Sequence, residues 1–295
     1  MSRFAYFPGC SLHATAREYD ESIRALAGRL EIGLDEIDDW CCCGATPAHA
    51  IDPESARLLG LWNLAQAARG GKAPLLTGCA ACFSRLRAVR EEARVNPALA
   101  DEAKARIGLP IDLDLEVLHI AQILASEPVR ERLRAAIVRP LGGLPVACYY
   151  GCLLTRPRGP GAMDDAEDPH LLEDLVRVVG GEPIAWPLRL DCCGASMTLP
   201  RPDIVHELSG KILAMAHERG ARVLVVACPL CHSNLDFQQA AIATKWRFDF
   251  RLPVLYLTQL IGLAFGLPAE HLGLQRHFVP VPVEELVPAE GASRV

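Results

Sequence analysis

Lysine is scarce in this chain. Four of the 30 basic residues are lysine and 26 are arginine, a bias that leans towards a GC-rich, bacterial source. Acidic residues outnumber basic ones, 36 to 30, which leaves a net charge of −6. Such a balance excludes nucleic acid as the main partner, because a phosphate backbone calls for a concentrated basic surface. Long apolar runs are also missing. The most apolar stretch, residues 253–267, is interrupted by Thr258 and Gln259. A spanning helix needs roughly 20 apolar residues, so no transmembrane segment is expected. The start of the chain, Met1 to Pro8, lacks the charged and apolar regions of a signal peptide and reads as a strand. A cytoplasmic protein is the expectation. Aromatic residues make up only 6 %, so the core must be built from Leu, Val, Ile and Ala.

Cysteine, by contrast, is abundant: 12 in 295 residues. Disulfides are not expected in a reducing compartment, which leaves metal binding or redox chemistry. Ten of the twelve fall into two similar sets. The first is Cys10, the vicinal pair Cys42-Cys43 before Gly44, and Cys79-Ala80-Ala81-Cys82. The second is Cys152, Cys192-Cys193 before Gly194, and Cys228-Pro229-Leu230-Cys231. Intervening residues number 31 and 39 before the vicinal pairs, then 35 and 34 before the Cys-x-x-Cys. Adjacent side chains on a strand point to opposite faces, so a vicinal pair shares one pocket only in a turn, which the following Gly permits.

The repeat extends past the cysteines. Residues 4–12 resemble 146–154, each ending in Gly-Cys, and 115–124 resemble 252–261 with Gln122 and Gln259 in register. A duplication is the simplest account, with halves 1–143 and 144–295. Each half reads as strand, helix, strand, helix, strand, helix, with helices near 15–30, 52–69 and 80–95, then near 168–180, 203–219 and 229–244. This alternation implies an α/β fold of two pseudo-symmetric halves, each a short parallel sheet with flanking helices and one cluster site. The cysteines then sit at the carboxyl ends of strands, where open α/β sheets place ligands. Residues 127–143 link the halves through a short helix. The Pro- and Gly-rich stretch Thr155–His170 reads as a mobile loop, a lid or docking element if not a solvated one. The tail, Val279 to Val295, reads as extended.

A structural zinc takes four ligands, usually from two Cys-x-x-Cys pairs, and neither half offers that. A cubane 4Fe–4S cluster also takes four thiolates. Five thiols per half therefore point to a spare thiol or to a different kind of cluster. Cys41 and Cys148 fall outside both sets and read as small buried hydrophobes. Trp40 and Trp186, just before the vicinal pairs, read as packing that keeps water from the sites. Gln122 and Gln259 read as helix-start residues. His232 is a candidate proton donor beside Cys231, and His13 a weaker one.

The runs Tyr149 to Pro157, Glu167-Asp168-Pro169, Asp191 to Ser196 and Ala227 to Asp236, with the doubled Cys-Cys-Gly spacing, resemble the B subunit of heterodisulfide reductase and its relatives over nearly the whole chain. The resemblance implies two non-cubane 4Fe–4S clusters. Cys10, Cys42, Cys43, Cys79 and Cys82 would hold the first, and Cys152, Cys192, Cys193, Cys228 and Cys231 the second. It implies disulfide or bound-sulfur chemistry shared between the two. The substrate would be the coenzyme M–coenzyme B disulfide of methanogens, or another thiol, persulfide or lipoate-bound sulfur. It also implies two partners, a small ferredoxin-like protein and a flavoprotein, the C and A components of such complexes. The chain lacks a Cys-x-x-Cys-x-x-Cys-x-x-x-Cys-Pro stretch of its own, so its electrons must come from them. Two alternatives remain. One is an electron-transfer subunit of a dehydrogenase complex without its own substrate; the other is one cluster plus a structural zinc. Anaerobically purified protein is expected to carry about eight irons per chain, with matching sulfide and no zinc. Elemental analysis giving about four irons and one zinc would establish the mixed case instead.

Overall fold

The computed structural model describes residues 2–45, 48–71, 73–156, 158–159 and 161–287. Eight strands form two sheets. The first contains β1 (Ser2–Tyr6), β2 (Ile32–Glu36), β3 (Leu75–Thr77) and β4 (Val117–His119), in the order β2-β1-β3-β4. The second contains β5 (Leu144–Tyr149), β6 (Gly181–Pro183), β7 (Val223–Val226) and β8 (Val254–Tyr256), in the order β6-β5-β7-β8. All neighbours are parallel, and the expected α/β class with flanking helices holds. Each sheet has one strand more than the three-strand reading. The added strands are β4 and β8, three residues each at a sheet edge after the last helix of each half's reading, too short to show a pattern of their own.

Parallel pairing sends every strand end to the same side. The strand order reverses between β1 and β3, and again between β5 and β7, and a crevice opens at such a reversal. The Gly9-Cys10 and Cys79 segments leave the two strands of the first reversal. Gly151-Cys152 and Cys228 leave those of the second.

The helices expected near 15–30, 52–69, 80–95, 168–180 and 203–219 are found at Arg17–Arg29, Pro53–Arg69, Ala80–Val95, Leu171–Val178 and Pro202–Glu218. The helix expected over 229–244 is split into Pro229–Leu235 and Gln239–Trp246. The break falls at Asp236, whose buried carboxylate accepts the backbone N–H of Phe278 at 2.8 Å and of Val279 at 3.1 Å. That anchor also overturns the extended reading for the first part of the tail. Residues 283–286 form a short helix, with Leu286 and Val287 buried. The rest of the tail, 288–295, lies outside the described residues. Residues 155–170, expected to be mobile, are tied down, Pro157 and Pro160 lying outside the described residues. Asp164 accepts the N–H groups of His170 and Leu171, Asp165 those of Glu167 and Asp168, and Met163 is buried.

The halves meet reciprocally. Helix Leu257–Ala264 of the second half packs on Arg17–Arg29 of the first, and Ile120–Ala125 of the first packs on Leu171–Val178 of the second. Gln122 and Gln259 close capping boxes at the starts of two of these helices, as read from the repeat. Across the junction Ser22 and Thr258 share a hydrogen bond of 2.6 Å, and the rings of Tyr19 and Tyr256 stack at 3.9 Å.

His119 is the tightest fastener. Its Nδ1 accepts the N–H of Ala121, so Nε2 carries the proton. Nε2 donates to two carbonyls, Gly78 at 2.7 Å and Ala227 at 3.1 Å. These precede Cys79 and Cys228 in the two halves, so one buried ring ties both strand ends. Burial lowers the His119 pKa to about 4. A depressed histidine contributes stability that is complete above the unfolded value near 6.5 and is lost as pH falls towards 4. His119→Phe strands both carbonyls and is expected to cost about 2–4 kcal/mol at pH 7. Urea denaturation at a series of pH values should also show a shallower acid limb between 6.5 and 4 than in the wild type.

Candidate metal centre

Each site is assembled from three strand ends. Gly9 and Gly151 turn the chain immediately after β1 and β5 with φ near +67° and +65°. A Cβ at either position would meet a cysteine sulfur, Cys82 Sγ at 3.3 Å and Cys231 Sγ at 3.1 Å. Glycine therefore fits both points on two counts, backbone and space. The vicinal pairs follow β2 and β6. Gly44 and Gly194 again have positive φ, +76° and +94°. A Cβ on Gly44 would lie 2.9 Å from the Ala56 carbonyl, and one on Gly194 would lie 3.0 Å from Val205 Cα. The Cys-Cys-Gly turn is thus wedged against the helix that follows it. The third strand ends, β3 and β7, deliver Cys79 and Cys228 to the N-cap positions of helices, with Cys82 and Cys231 in the first turn.

This brings the sulfurs together. Cys43 and Cys82 Sγ are 3.2 Å apart, and Cys193 and Cys231 Sγ 3.6 Å. Cys10 interacts directly with Cys42, and Cys152 with Cys192. Backbone N–H groups point at the sulfurs: Gly44 to Cys42 at 3.4 Å, Gly194 to Cys192 at 3.3 Å and Ala195 to Cys193 at 3.4 Å. The side-chain hydrogen bond from Cys10, joined by that from Cys43 and the Gly44 N–H, pulls the Cys42 pKa down to about 2. The bond from Cys152, with the Gly194 N–H, lowers Cys192 to about 6. Cys228 is held well below its ordinary value by Cys231, then Cys79, then the N–H groups at its helix start. In each set three thiols are buried, while Cys10 and Cys192 are exposed at the mouths. The sets also touch each other: Cys79 and Cys228 lie close enough to perturb one another's ionisation.

Five soft donors converge in each half, with no carboxylate or imidazole among them. Such a set suits iron–sulfur chemistry and exceeds what a tetrahedral zinc takes. Of the two remaining cysteines, Cys148 is fully buried on β5, as expected. Cys41 departs from the buried-hydrophobe reading. It is half-buried and turned towards Leu59, and Asn63 accepts its backbone N–H at 2.9 Å. Trp186 is buried, donates to the Cys148 carbonyl and tilts against Tyr149. Trp40 is half-buried between Phe7 and His13. His232 lies in a buried stack on Tyr256 at 4.3 Å with Nε2 on the Val254 carbonyl. Burial holds it neutral, and among the described residues it makes no hydrogen bond to any of the ten thiols.

Two residues beside the sulfurs escaped the sequence reading. Asn234 donates to Cys193 Sγ at 3.5 Å and to the Cys193 carbonyl at 3.2 Å. Arg85 occupies the same place in the first repeat, three residues after Cys82. Their signal was available in the register of the repeat.

The family model described as the CCG cysteine-rich domain matches residues 4–87 and again 146–236. The chain belongs to the CCG cysteine-rich domain family. Its two copies are the two cysteine sets described above. This double CCG chain is 33 % identical to the 8-methylmenaquinol:fumarate reductase membrane anchor subunit of Wolinella succinogenes, over 95 % of the chain and 98 % of the relative. It is 27 % identical to the B subunit of the Ferredoxin/F(420)H(2)-dependent CoB-CoM heterodisulfide reductase of Methanosarcina acetivorans, over 95 % and 94 %. The B subunit of the Ferredoxin:CoB-CoM heterodisulfide reductase of Methanosarcina mazei is 28 % identical over the same shares. Among solved structures, a hypothetical protein from Helicobacter pylori superposes with a TM-score of 0.75 at 13 % identity. That match covers 95 % of this chain and 52 % of the other, and it supports the fold alone. Among the described residues no helix is long and apolar enough to cross a membrane.

Gly194→Ala forces a Cβ onto Val205 and a side chain into a left-handed conformation. It is expected to cost about 1–3 kcal/mol and to displace the adjoining thiol pair. Thermal unfolding checks the first effect. A fall in bound iron checks the second.

Proposed function

We propose that this double CCG chain is the catalytic iron–sulfur subunit of a heterodisulfide-reductase-type complex. Its ten pattern cysteines would hold two non-cubane 4Fe–4S clusters, one in each of the halves 1–143 and 144–295. The observation that carries this reading is the junction: two five-thiol sets, each open at one exposed cysteine, abut through Cys79 and Cys228. When bound, the clusters supply one-electron redox chemistry and iron sites with affinity for sulfur, so a disulfide could be handled as two one-electron events. The chain's own residues supply the setting. Buried Cys43, Cys79, Cys82, Cys193, Cys228 and Cys231 form the floors, and Cys10 and Cys192 stand where a thiol, disulfide or carrier-bound sulfur can approach. The N–H groups of Gly44, Gly194 and Ala195 stabilise charge on the ligand sulfurs. His119 keeps the two floors in register. Electrons would arrive in the cytoplasm from a ferredoxin-like partner and, beyond it, a flavoprotein partner.

A second reading is favoured by the Wolinella relative, whose name places it in a quinol-linked fumarate reductase. On that reading the same two clusters relay electrons without a sulfur substrate. Turnover of the cluster-loaded complex with an artificial electron donor separates the two. Disulfide-dependent oxidation of the donor, and a new paramagnetic signal on oxidation with one particular thiol, support the first reading. A fully loaded complex that responds to no thiol supports the second. Cys193→Ala is expected to lose the second cluster and all sulfur-dependent turnover while the first half stays folded, read as about half the iron with retained helical circular dichroism. Loss of all the iron would mean that the halves fold only together.

A further inference from the structure

The two repeats present the same sulfur sets but different charges. One position lies a helical turn beyond the Cys-x-x-Cys, on the face that carries its second cysteine. In the second half this is Asn234, fully buried, neutral and committed to Cys193 and to the Thr198 hydroxyl. In the first half it is Arg85. Cys82, three residues earlier on the same helix, touches Cys43 at 3.2 Å. Arg85 is half-buried, and its Nε is buried without a hydrogen-bond partner among the described residues. Its guanidinium interacts electrostatically with Cys43. Glu92 is shared between Arg85, whose main charge partner it is, and Arg57 at 3.3 Å, so two cations and one carboxylate leave one net positive charge there.

A second position precedes the vicinal pair. In the first half it is Cys41, a half-buried thiol turned towards the Leu59 carbonyl. In the second half it is Asp191, an exposed residue that acts on Cys192 as a like charge. Both differences have the same sign: the first site gains a cation and the second an anion. A cation stabilises the more negative, reduced form of a nearby redox centre, and an anion opposes it. Arg85 should dominate, since it is partly buried whereas Asp191 is exposed and screened by salt.

We propose that Arg85 in the first half, together with Asp191 in the second, holds the first cysteine site at a more positive reduction potential than the second, so that an electron shared between them resides in the first half. This rests on the reading that both sets carry clusters. Arg85 and Asp191 act through the ligand sulfurs and are positioning residues.

The test is an anaerobic redox titration of the intact complex, followed by EPR, with iron measured on every variant. Wild type should show two separate reduction steps. Arg85→Gln should lower the upper step by about tenfold in its equilibrium, which is about 59 mV for one electron, and leave the lower step in place. Arg85→Lys keeps the charge and should restore the upper step. Asp191→Asn, at an exposed position, should raise the lower step alone. The proposal is overturned if Arg85→Gln moves neither step or both equally, or if Arg85→Lys behaves like Arg85→Gln. It is equally overturned if Asp191→Asn moves the upper step instead. Iron well short of two clusters in the wild type would instead sink the reading beneath it, and the charge assignment with it.

Discussion

Parallel strand pairing is the constraint on which the rest of this structure depends. Because β1 to β4 run the same way, as do β5 to β8, three separated stretches of sequence reach the same edge of each sheet. A hairpin would have returned one of them to the far end. The edge alone is not enough, since a strand offers neighbouring side chains to opposite faces. The turns correct this. Gly9, Gly44, Gly151 and Gly194 all take positive φ directly beside a cysteine, and the helix start at Cys228 supplies N–H groups to its sulfur in place of a counter-ion. Gathering five thiols is therefore mainly a backbone achievement, and the short strands, three residues in β3, β4, β6 and β8, suffice for it.

Duplication then sets the two gathered edges against each other, and the symmetry is broken where the halves need different roofs. The second half has more residues between its lone cysteine and its vicinal pair, 39 against 31. Part of that stretch reaches the first half, where Gln122 donates to the carbonyls of Gly161 and Ala162. On the opposite side the matching Gln259 donates to the Leu272 carbonyl and to His277, in the segment after the last repeat helix. The same capping residue thus does two jobs at both places: one amide atom closes its helix start and the other pins whatever chain covers the junction. The second roof is the looser one. Between residues 14–18, the helix Pro229–Leu235 and Phe278 it leaves a cavity of about 430 Å³.

What could be read from the sequence follows the same division between backbone and side chain. The two sulfur sets, the α/β alternation and the role of Gln122 and Gln259 were legible because duplication writes each of them twice, at nearly constant offsets. β4 and β8 were not, because three residues at a sheet edge are too few to carry a periodic pattern. The split of the helix at Asp236 depends on Phe278 and Val279, more than 40 residues away, and no local signal carries it. His119 belongs to a repeated segment, but its partner in register is Tyr256, a different chemistry. Its function lies in two carbonyls from two halves, which only the folded junction brings within reach of one nitrogen. Cys41 misled for a simpler reason: a small residue before a ligand pair reads as buried filler, whereas here its backbone N–H and its thiol are both spoken for by the helix Pro53–Arg69.

A duplicated redox site with truly identical halves would give an electron no reason to prefer either one. The differences that matter are therefore those at matched positions. Some, such as Ala81 against Leu230, change packing but not charge. Arg85 against Asn234, and Cys41 against Asp191, are different in kind, because each alters the net charge within reach of a ligand sulfur while leaving the donor set intact. Asn234 could not simply be replaced by a cation, since its amide already bridges Cys193, Ala195 and Thr198. Arg85 has no such hydrogen-bond web among the described residues, only charge contacts, chiefly with Glu92. The first site is free to carry charge where the second is committed to hydrogen bonds, and on the two-cluster reading that freedom allows one fold, used twice, to hold two unequal centres.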